Sequence, residues 1–476
     1  MIMKQAILRR FYPLNFPLKA NFRFRTSRVY TITKKEFKEY ENRKRHPEEE
    51  PYEDEIRKNS LGCLVIESIS MLKPYDALYE MAADLRPQLL IIYGILSFLT
   101  DEVFDPTQCF NNESFVTGED VVLDTPKPLL SKEGENYSKD LEKILDLIEE
   151  SKKDKQILLY SLFERWRKAL FLMKESDGNW IHVDEAVLAY IHIFEVLSDE
   201  FKKQLKTEVK ENRERLINAI IARANGDDNK KYEDIDKLIT EASDNRVTLK
   251  PKVMCMLKEM NLLNPKTEAI IVRFIEHRNA IAHGRKDLYQ DKVVFPLKPF
   301  FSFIKDTNEN IEIIKVFAAR VISQYIGLKR WEPEWRWALV IAPPPFNLVK
   351  EFIFKKSYQN ITEADIIDGV FDGVDPRSLY IYYIKNKISF DDLENALAKV
   401  ITSSTLKKEE CQALFNVAVI LADSKSIDVA NTAREIVRKS HTKQWYFYSN
   451  IRDALKEVEY YNKTLFWFPE WLIEKK

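Results

Sequence analysis

The hydrophobic period of the chain changes near residue 138. Before that point the pattern is mixed. The stretch NFRFRTSRVYTIT (Asn21–Thr33) alternates and is rich in aromatic and β-branched residues, which predicts a strand. LGCLVIESISML (Leu61–Leu72) predicts another, and ENRKRHPEEEPYEDE between them reads as a charged, proline-containing loop. The apolar run Leu89–Leu99 predicts a buried helix opened by Pro87 in its first turn. FVTGEDVVLDTPKPLL follows as strand, turn and linker.

From Ser138 onward, apolar residues recur at three- and four-residue spacing. SKDLEKILDLIEESKKD and KQILLYSLFERWRKALFLMKE predict two helices. VDEAVLAYIHIFEVLSDEFKKQLKTEV predicts one long amphipathic helix, with Asp184 and Glu185 near its start and lysines near its end, as the helix dipole favours. Further helices are predicted in RERLINAIIARAN, TEAIIVRFIEHRNAIAHG and NIEIIKVFAARVISQYIGL.

Near residue 330, RWEPEWRWALVIAPPPF packs tryptophans and prolines together and marks a boundary. Beyond it, DLENALAKVIT, EECQALFNVAVILAD, VANTAREIVRK and SNIRDALKEVEYYN read as short helices. The aromatic LFWFPEWLIEKK suits a clasp on a core. The expected architecture is therefore mainly α, with an α+β region over 1–155, a central helical bundle over 156–330 and a helical region over 331–476.

Composition sharpens this picture. Gly is scarce, at 10 residues in 476, so hairpin turns and bulges are few and a sandwich or barrel is disfavoured. Net charge is −1, from 74 basic and 75 acidic residues, which excludes a passive nucleic-acid coat; any nucleic acid is met through a local site. Cys63, Cys109, Cys255 and Cys411 are far apart in sequence and form no CxxC, so neither a zinc ribbon nor a disulfide framework is expected, and a cytoplasmic setting fits. Leu89–Leu99 is too short for a bilayer, which needs about 20 residues, so no membrane association is expected. GxxxxGK[ST], GxGxxG, GxSxG and HExxH are all missing, and no carboxylate or Cys/His cluster suggests a metal; no cofactor is expected.

The chemistry concentrates in EHRNAIAHGR, residues 276–285. Ile271, Phe274, Ile275, Arg278, Ile281 and Ala282 are three and four apart and share one helix face. Arg278 interrupts that apolar stripe, and a guanidinium there needs a carboxylate, a phosphate or a wet cleft. Gly284 suits the position just after a helix, which places His283 at the helix C-terminus, where imidazolium is favoured. Asn279 and His283 are four apart and project together. A permanent cation, a proton-transfer group and an amide at one helix end can grip a phosphodiester and move a proton on it. A purely structural explanation accounts for the same residues: Arg278 paired with Glu195 of a neighbouring helix, and His283 as a cap.

RNAIAH (278–283) resembles the Arg-(polar)-x-x-x-His motif of the HEPN superfamily, the higher eukaryote and prokaryote nucleotide-binding domain, and is most similar to its Apea-like branch. An early helix carrying YIHIFEVLSDEF, an intervening helix, the motif helix and a final helix extend the resemblance over roughly residues 155–330. The resemblance implies a HEPN-type helical bundle that dimerises. Many such domains are metal-independent endoribonucleases whose composite site takes the motif Arg and His from two protomers. By position, Arg278 would bind the scissile phosphate and His283 would serve as acid–base on the 2′-hydroxyl or the leaving oxygen. Asn279 would orient the phosphate or the His, and Glu195 would support Arg278. The product would be a 2′,3′-cyclic phosphate. The resemblance also implies an RNA substrate, a homodimer, a place in prokaryotic antiviral or stress response, and a regulatory protein or ligand partner. A HEPN scaffold without catalysis, serving dimerisation or nucleotide binding, is the alternative.

Other features read as ordinary structure. RRFYPLNFPLKANFRFRTSR mixes arginines with aromatics and is explained by a strand with one basic face. Arg165 and Arg167 in ERWRKALF fit a solvated helix face. His277 reads as a surface residue and His182 and His192 as ordinary helix residues, the lesser alternative being that His192 reaches the cleft. Trp331, Trp335 and Trp337 suit the sealing of a domain junction.

Overall fold

Alternating burial builds the N-terminal sheet. β2 (Leu18–Phe24) buries Leu18, Ala20, Phe22 and Phe24 while the residues between them face outward. It pairs with β3 (Ser27–Thr33), which pairs with β4 (Gly62–Leu72) and, through it, β1 (Lys4–Leu14). β5 (Asn111–Thr117) lies on the far side of β1, and β6 (Leu129–Lys132) and β7 (Glu135–Asn136) follow β2. The antiparallel order is β5-β1-β4-β3-β2-β6-β7. Successive β1 side chains point to opposite faces, and both faces are covered. Phe11 meets Phe37 of α1 (Lys34–Lys44) at 5.6 Å, and Tyr12 meets Tyr93 of α2 (Leu78–Thr100) at 5.0 Å.

The protein is seen in a computed structural model that describes residues 4–44, 60–72, 78–104, 111–117, 122–176, 182–223, 248–282, 301–371, 373–445 and 450–467. The chain divides into two compact units. The first comprises Met1–Leu262, Phe274–Asp291 and Thr307–Trp335, and the second Leu263–Arg273, Lys292–Asp306 and Arg336–Lys476. The sheet and the central helices share the first unit. The molecule is mainly α, with this antiparallel sheet at its N-terminal end.

Three features of the first unit differ from the sequence pattern. The alternating Asn21–Thr33 is not one strand but parts of β2 and β3, turned at Arg25 and Thr26. Arg25 takes φ 53°, a left-handed conformation costly for a side chain with a Cβ. Its guanidinium lies over the Phe24 and Tyr160 rings and bonds to the Tyr160 hydroxyl, which holds the turn without a glycine. The predicted loop ENRKRHPEEEPYEDE begins as the last turn of α1, which ends at Lys44, and the rest of it lies outside the described residues. Pro87 does not open its helix but sits inside α2, nine residues from the start at Leu78. A proline there removes one helical hydrogen bond, at about 3 kcal/mol. Burial of Leu89, Ile92, Tyr93, Ile95, Leu96, Phe98 and Leu99 outweighs that loss, at about 1.5–3 kcal/mol for each large side chain.

α2 lies directly against α4 (Lys153–Glu175). Gly94 makes that approach possible: a Cβ there would stand 2.9 Å from the Phe163 Cβ and 3.0 Å from the Phe163 carbonyl carbon. Phe98 and Trp166 continue the contact edge to face at 5.6 Å, and the Trp166 indole N–H donates to the Ser97 carbonyl at 3.2 Å. α3 (Ser138–Glu150) precedes α4 and buries the stripe Leu141, Ile144 and Ile148.

The predicted long helix from Val183 is instead two. α5 (Val183–Ser198) and α6 (Lys202–Arg223) are separated by a 3₁₀ turn at Asp199–Phe201. His182 is the residue before α5 and not a member of the helix. α6 also absorbs RERLINAIIAR. α7 (Leu249–Glu259), which the sequence pattern does not reveal, buries Val253, Cys255, Met256 and Leu257. α8 (Pro265–Ala282) and α9 (Phe301–Ile326) complete this region.

Trp331 and Trp335 belong to the core of the first unit. Trp331 meets Trp166 at 5.3 Å, and Trp335 stacks on Phe317 at 4.6 Å; Phe317 in turn meets Phe194 of α5 at 5.0 Å. Trp337, two residues on in α10 (Glu332–Ile341), is exposed.

The second unit contains α11 (Phe346–Phe354), α12 (Glu363–Ile367), α13 (Pro376–Ile384), α14 (Phe390–Thr402), α15 (Lys408–Leu421), α16 (Ile427–Lys443) and α17 (Ile451–Tyr460). Reciprocal caps at Thr362, Asp375 and Ser389 start α12, α13 and α14 by satisfying first-turn N–H groups. α15, buried from Val417 through Leu421, is the centre of its core. The C-terminal aromatics begin to dock here. Trp467 lies under Arg434 and Arg438 at 5.4 and 5.6 Å, and the Phe466 and Trp467 N–H groups donate to Asp423. Residues after Trp467 lie outside the described residues.

Candidate functional site

α5 is buried on most of its circumference. Ala186, Val187, Ala189, Tyr190, Ile191, Ile193, Phe194 and Leu197 face the core. The remaining narrow stripe carries Glu185, Leu188, His192, Glu195 and Asp199, at steps of three and four, none of them buried. His192 and Glu195 therefore project together from a helix whose position is fixed by its apolar surface.

α8 reaches the same place from the other side. Ile271, Phe274 and Ile275 anchor it, and Arg278 lies one turn further along their face. The Arg278 side chain keeps 30% of its surface exposed and Glu195 keeps 26%. The guanidinium Nε donates to Glu195 Oε1 at 3.0 Å, and Nη2 stands 3.0 Å from the same oxygen. Nη1 donates to the Asn279 side-chain oxygen at 3.2 Å. Arginine has five N–H donors, so these contacts leave two N–H groups without a partner among the described residues. The stripe Ile271–Ala282 is thus closed at Arg278 by a carboxylate and an amide; the side chains of Ile281 and Ala282 lie outside the described residues, as do His283 and Gly284.

His192 stands on the other side of Glu195, its Nε2 3.9 Å from Glu195 Oε2. That is too long for a hydrogen bond. Burial pushes the His192 pKa below the usual histidine value; Glu195 opposes the shift, while Arg165, Arg278 and Lys168 reinforce it. The imidazole is therefore neutral at pH 7, and its contact with Glu195 is polar and not an ion pair.

Four of the sequence-derived candidates thus fall as follows. Arg278, Asn279 and Glu195 are in one hydrogen-bonded group, and His283 falls outside the described residues. The sequence pattern places Arg165, with Arg167, on a solvated face and does not single out Lys168. They lie on α4, which packs against α5 through Trp166 and Tyr190 with ring centres 5.5 Å apart, and both act electrostatically on His192. His192 itself carried a legible signal, its three-residue spacing from Glu195.

Among the described residues, no three His, Cys, Asp or Glu side chains are placed to share a metal ion, and no helix is long and apolar enough to cross a membrane. The basic N-terminal stretch is engaged in structure at Arg9 with Glu67, Arg23 with the Leu123 carbonyl and Arg28 with Asp124. Comparison with protein-family models, with curated proteins and with solved structures finds no match to this chain.

Proposed function

We propose that the protein is a metal-independent endoribonuclease of HEPN type, acting as a homodimer. The reading rests on the resemblance of RNAIAH and the helix order around it. The observation that carries it is the fixed, partly exposed guanidinium of Arg278, held by Glu195 and Asn279 with N–H groups to spare. Preorganised donors of this kind stabilise a developing phosphorane without reorganising during the reaction.

In this reading Arg278 holds the scissile phosphate and Asn279 keeps the guanidinium plane. His283 exchanges the proton of the 2′-hydroxyl or of the leaving 5′-oxygen. The 2′-oxygen attacks phosphorus, the P–O5′ bond breaks, and a 2′,3′-cyclic phosphate and a 5′-hydroxyl result. Motif helices from two copies face each other to complete the site. A role in prokaryotic antiviral or stress response, in the cytoplasm and under a regulatory partner, follows from the same resemblance.

A second reading is favoured by one observation: Glu195 already matches the charge of Arg278, as in a structural pair. The domain would then be a HEPN scaffold for dimerisation or nucleotide binding, without catalysis. One experiment separates the two. Purified protein is incubated with labelled RNA in EDTA beside an Arg278→Ala, His283→Ala double variant. Cleavage by the wild type alone, leaving cyclic-phosphate ends, supports the nuclease; a folded dimer that cuts none of a varied set of RNAs supports the scaffold.

A further inference from the structure

Arg165 and Arg167 flank Trp166, yet they differ in their surroundings. Arg167 is neutralised on its own helix: its Nε and Nη2 contact the two Glu164 carboxylate oxygens at 2.8 and 2.7 Å. Arg165 has no carboxylate at ion-pair distance among the described residues, and its Nε is enclosed without a hydrogen-bond partner there. An enclosed guanidinium nitrogen without a partner costs stability, and an anion is one group that would complete it.

Lys168, one turn along α4 from Arg165, is exposed and likewise has no ion pair among the described residues. Both cations act electrostatically on His192 together with Arg278, against the carboxylate of Glu195. Arg165, Lys168 and Arg278 thus gather three cations around one imidazole, on a chain whose net charge is −1. A chain without a basic surplus needs such a local group in order to hold a polyanion.

We infer that Arg165 and Lys168 form a second phosphate-binding position beside Arg278, so that the site takes a strand carrying successive phosphates. The ligand class is single-stranded RNA held by its backbone. The inference rests on the ribonuclease reading for the identity of the strand, but it concerns binding and needs no cleavage.

The test uses the full chain and a fluorescein-labelled, single-stranded 2′-O-methyl oligonucleotide, which lacks the attacking hydroxyl and stays intact. Affinity is measured by anisotropy as salt is varied, for the wild type, Arg165→Gln/Lys168→Gln, and Arg167→Gln as a control on the neighbouring, neutralised arginine. Single strands lose about 0.7 in the salt slope per phosphate contact, so the double variant should lose about 1.4. Between about 50 and 200 mM salt, the wild type should then weaken about sevenfold more than the double variant. Arg167→Gln should keep the wild-type slope, and Arg165→Lys/Lys168→Arg should restore it. An unchanged slope in a double variant that melts like the wild type overturns the second phosphate position while leaving the ribonuclease reading standing. A wild type that does not bind the oligonucleotide at any salt overturns both. A wild type that binds with the expected slopes but does not cut natural RNA overturns only the catalytic reading.

Discussion

Arg278 of α8 and Glu195 of α5 are 83 residues apart and meet at 3.0 Å, with two guanidinium nitrogens on one carboxylate oxygen. The pair fixes the angle of the guanidinium, whose side chain keeps 30% of its surface exposed. A structural ion pair and a preorganised phosphate grip share this geometry and differ in how they respond to perturbation.

Glu195→Ala separates the two roles. It frees Arg278 to take other rotamers. If the pair positions the guanidinium for a phosphate, kcat should fall by about a hundredfold, the scale of a misplaced catalytic group. Stability should change by only about 1 kcal/mol, because both side chains are partly solvated. Steady-state cleavage and urea unfolding of the same preparations check this. A loss of stability with unchanged kcat would assign the pair to structure.

His192 makes a prediction about pH. Its charged form is disfavoured in the fold, so the unfolded chain binds the proton more readily. Stability should therefore rise with pH between the lowered pKa and the ordinary value near 6.5, and should be lost as pH falls through that window. His192→Gln should flatten this part of the profile, because Gln does not titrate. Melting temperatures of both proteins between pH 5 and 8 test it, and parallel curves would count against the neutral imidazole.

Asp184, in the first turn of α5, has a buried carboxylate oxygen without a hydrogen-bond partner among the described residues. Burial, with help from Glu185, raises its pKa to about 6. The sign is opposite to that of a paired carboxylate. The folded state holds the proton longer, so stability falls as pH rises from about 4 to about 6 and stays lower above. Asp184→Asn should be more stable than the wild type at pH 8 by about 1–2 kcal/mol, after allowance for the helix N-terminus that favours the charge. The difference should vanish near pH 3.5. Urea titrations at the two pH values decide it.

Gly94→Ala tests whether the α2–α4 contact positions the cationic side chains of α4. The added methyl would stand 2.9 Å from the Phe163 Cβ and 3.0 Å from its backbone, so the helices must part. A loss of about 1–3 kcal/mol is expected from overpacking. Strand affinity should weaken as well, since Arg165 lies two residues from Phe163. A variant as stable as the wild type would show that the helices give way at no cost.

Most helices were legible in the sequence because their apolar stripes are strict, as in α3, α14 and α16. The misses have physical causes. The β2–β3 turn is made by Arg25 and Thr26, without the Gly or Asn that usually marks a left-handed residue. The break after Ser198 has neither Gly nor Pro and reads as continuous helix. α7 opens on Leu-Lys-Pro-Lys and hides a short apolar face behind polar neighbours. At the site, Arg278 and Glu195 could be named in advance, since an arginine in an apolar stripe requires a partner. Arg165 could not be told from Arg167, because only the structure shows Arg167 neutralised by Glu164 while Arg165 acts electrostatically on His192.

The central claim is tested most directly by the ends of the RNA fragments. Wild-type protein with labelled single-stranded RNA in EDTA should give 2′,3′-cyclic phosphate and 5′-hydroxyl ends. Arg278→Ala and His283→Ala, each melting as the wild type does, should lose at least about a hundredfold in rate, the scale expected when a transition-state donor or an acid–base group is removed. Intact RNA with the folded wild type, or cleavage that persists equally in both variants, would contradict the account.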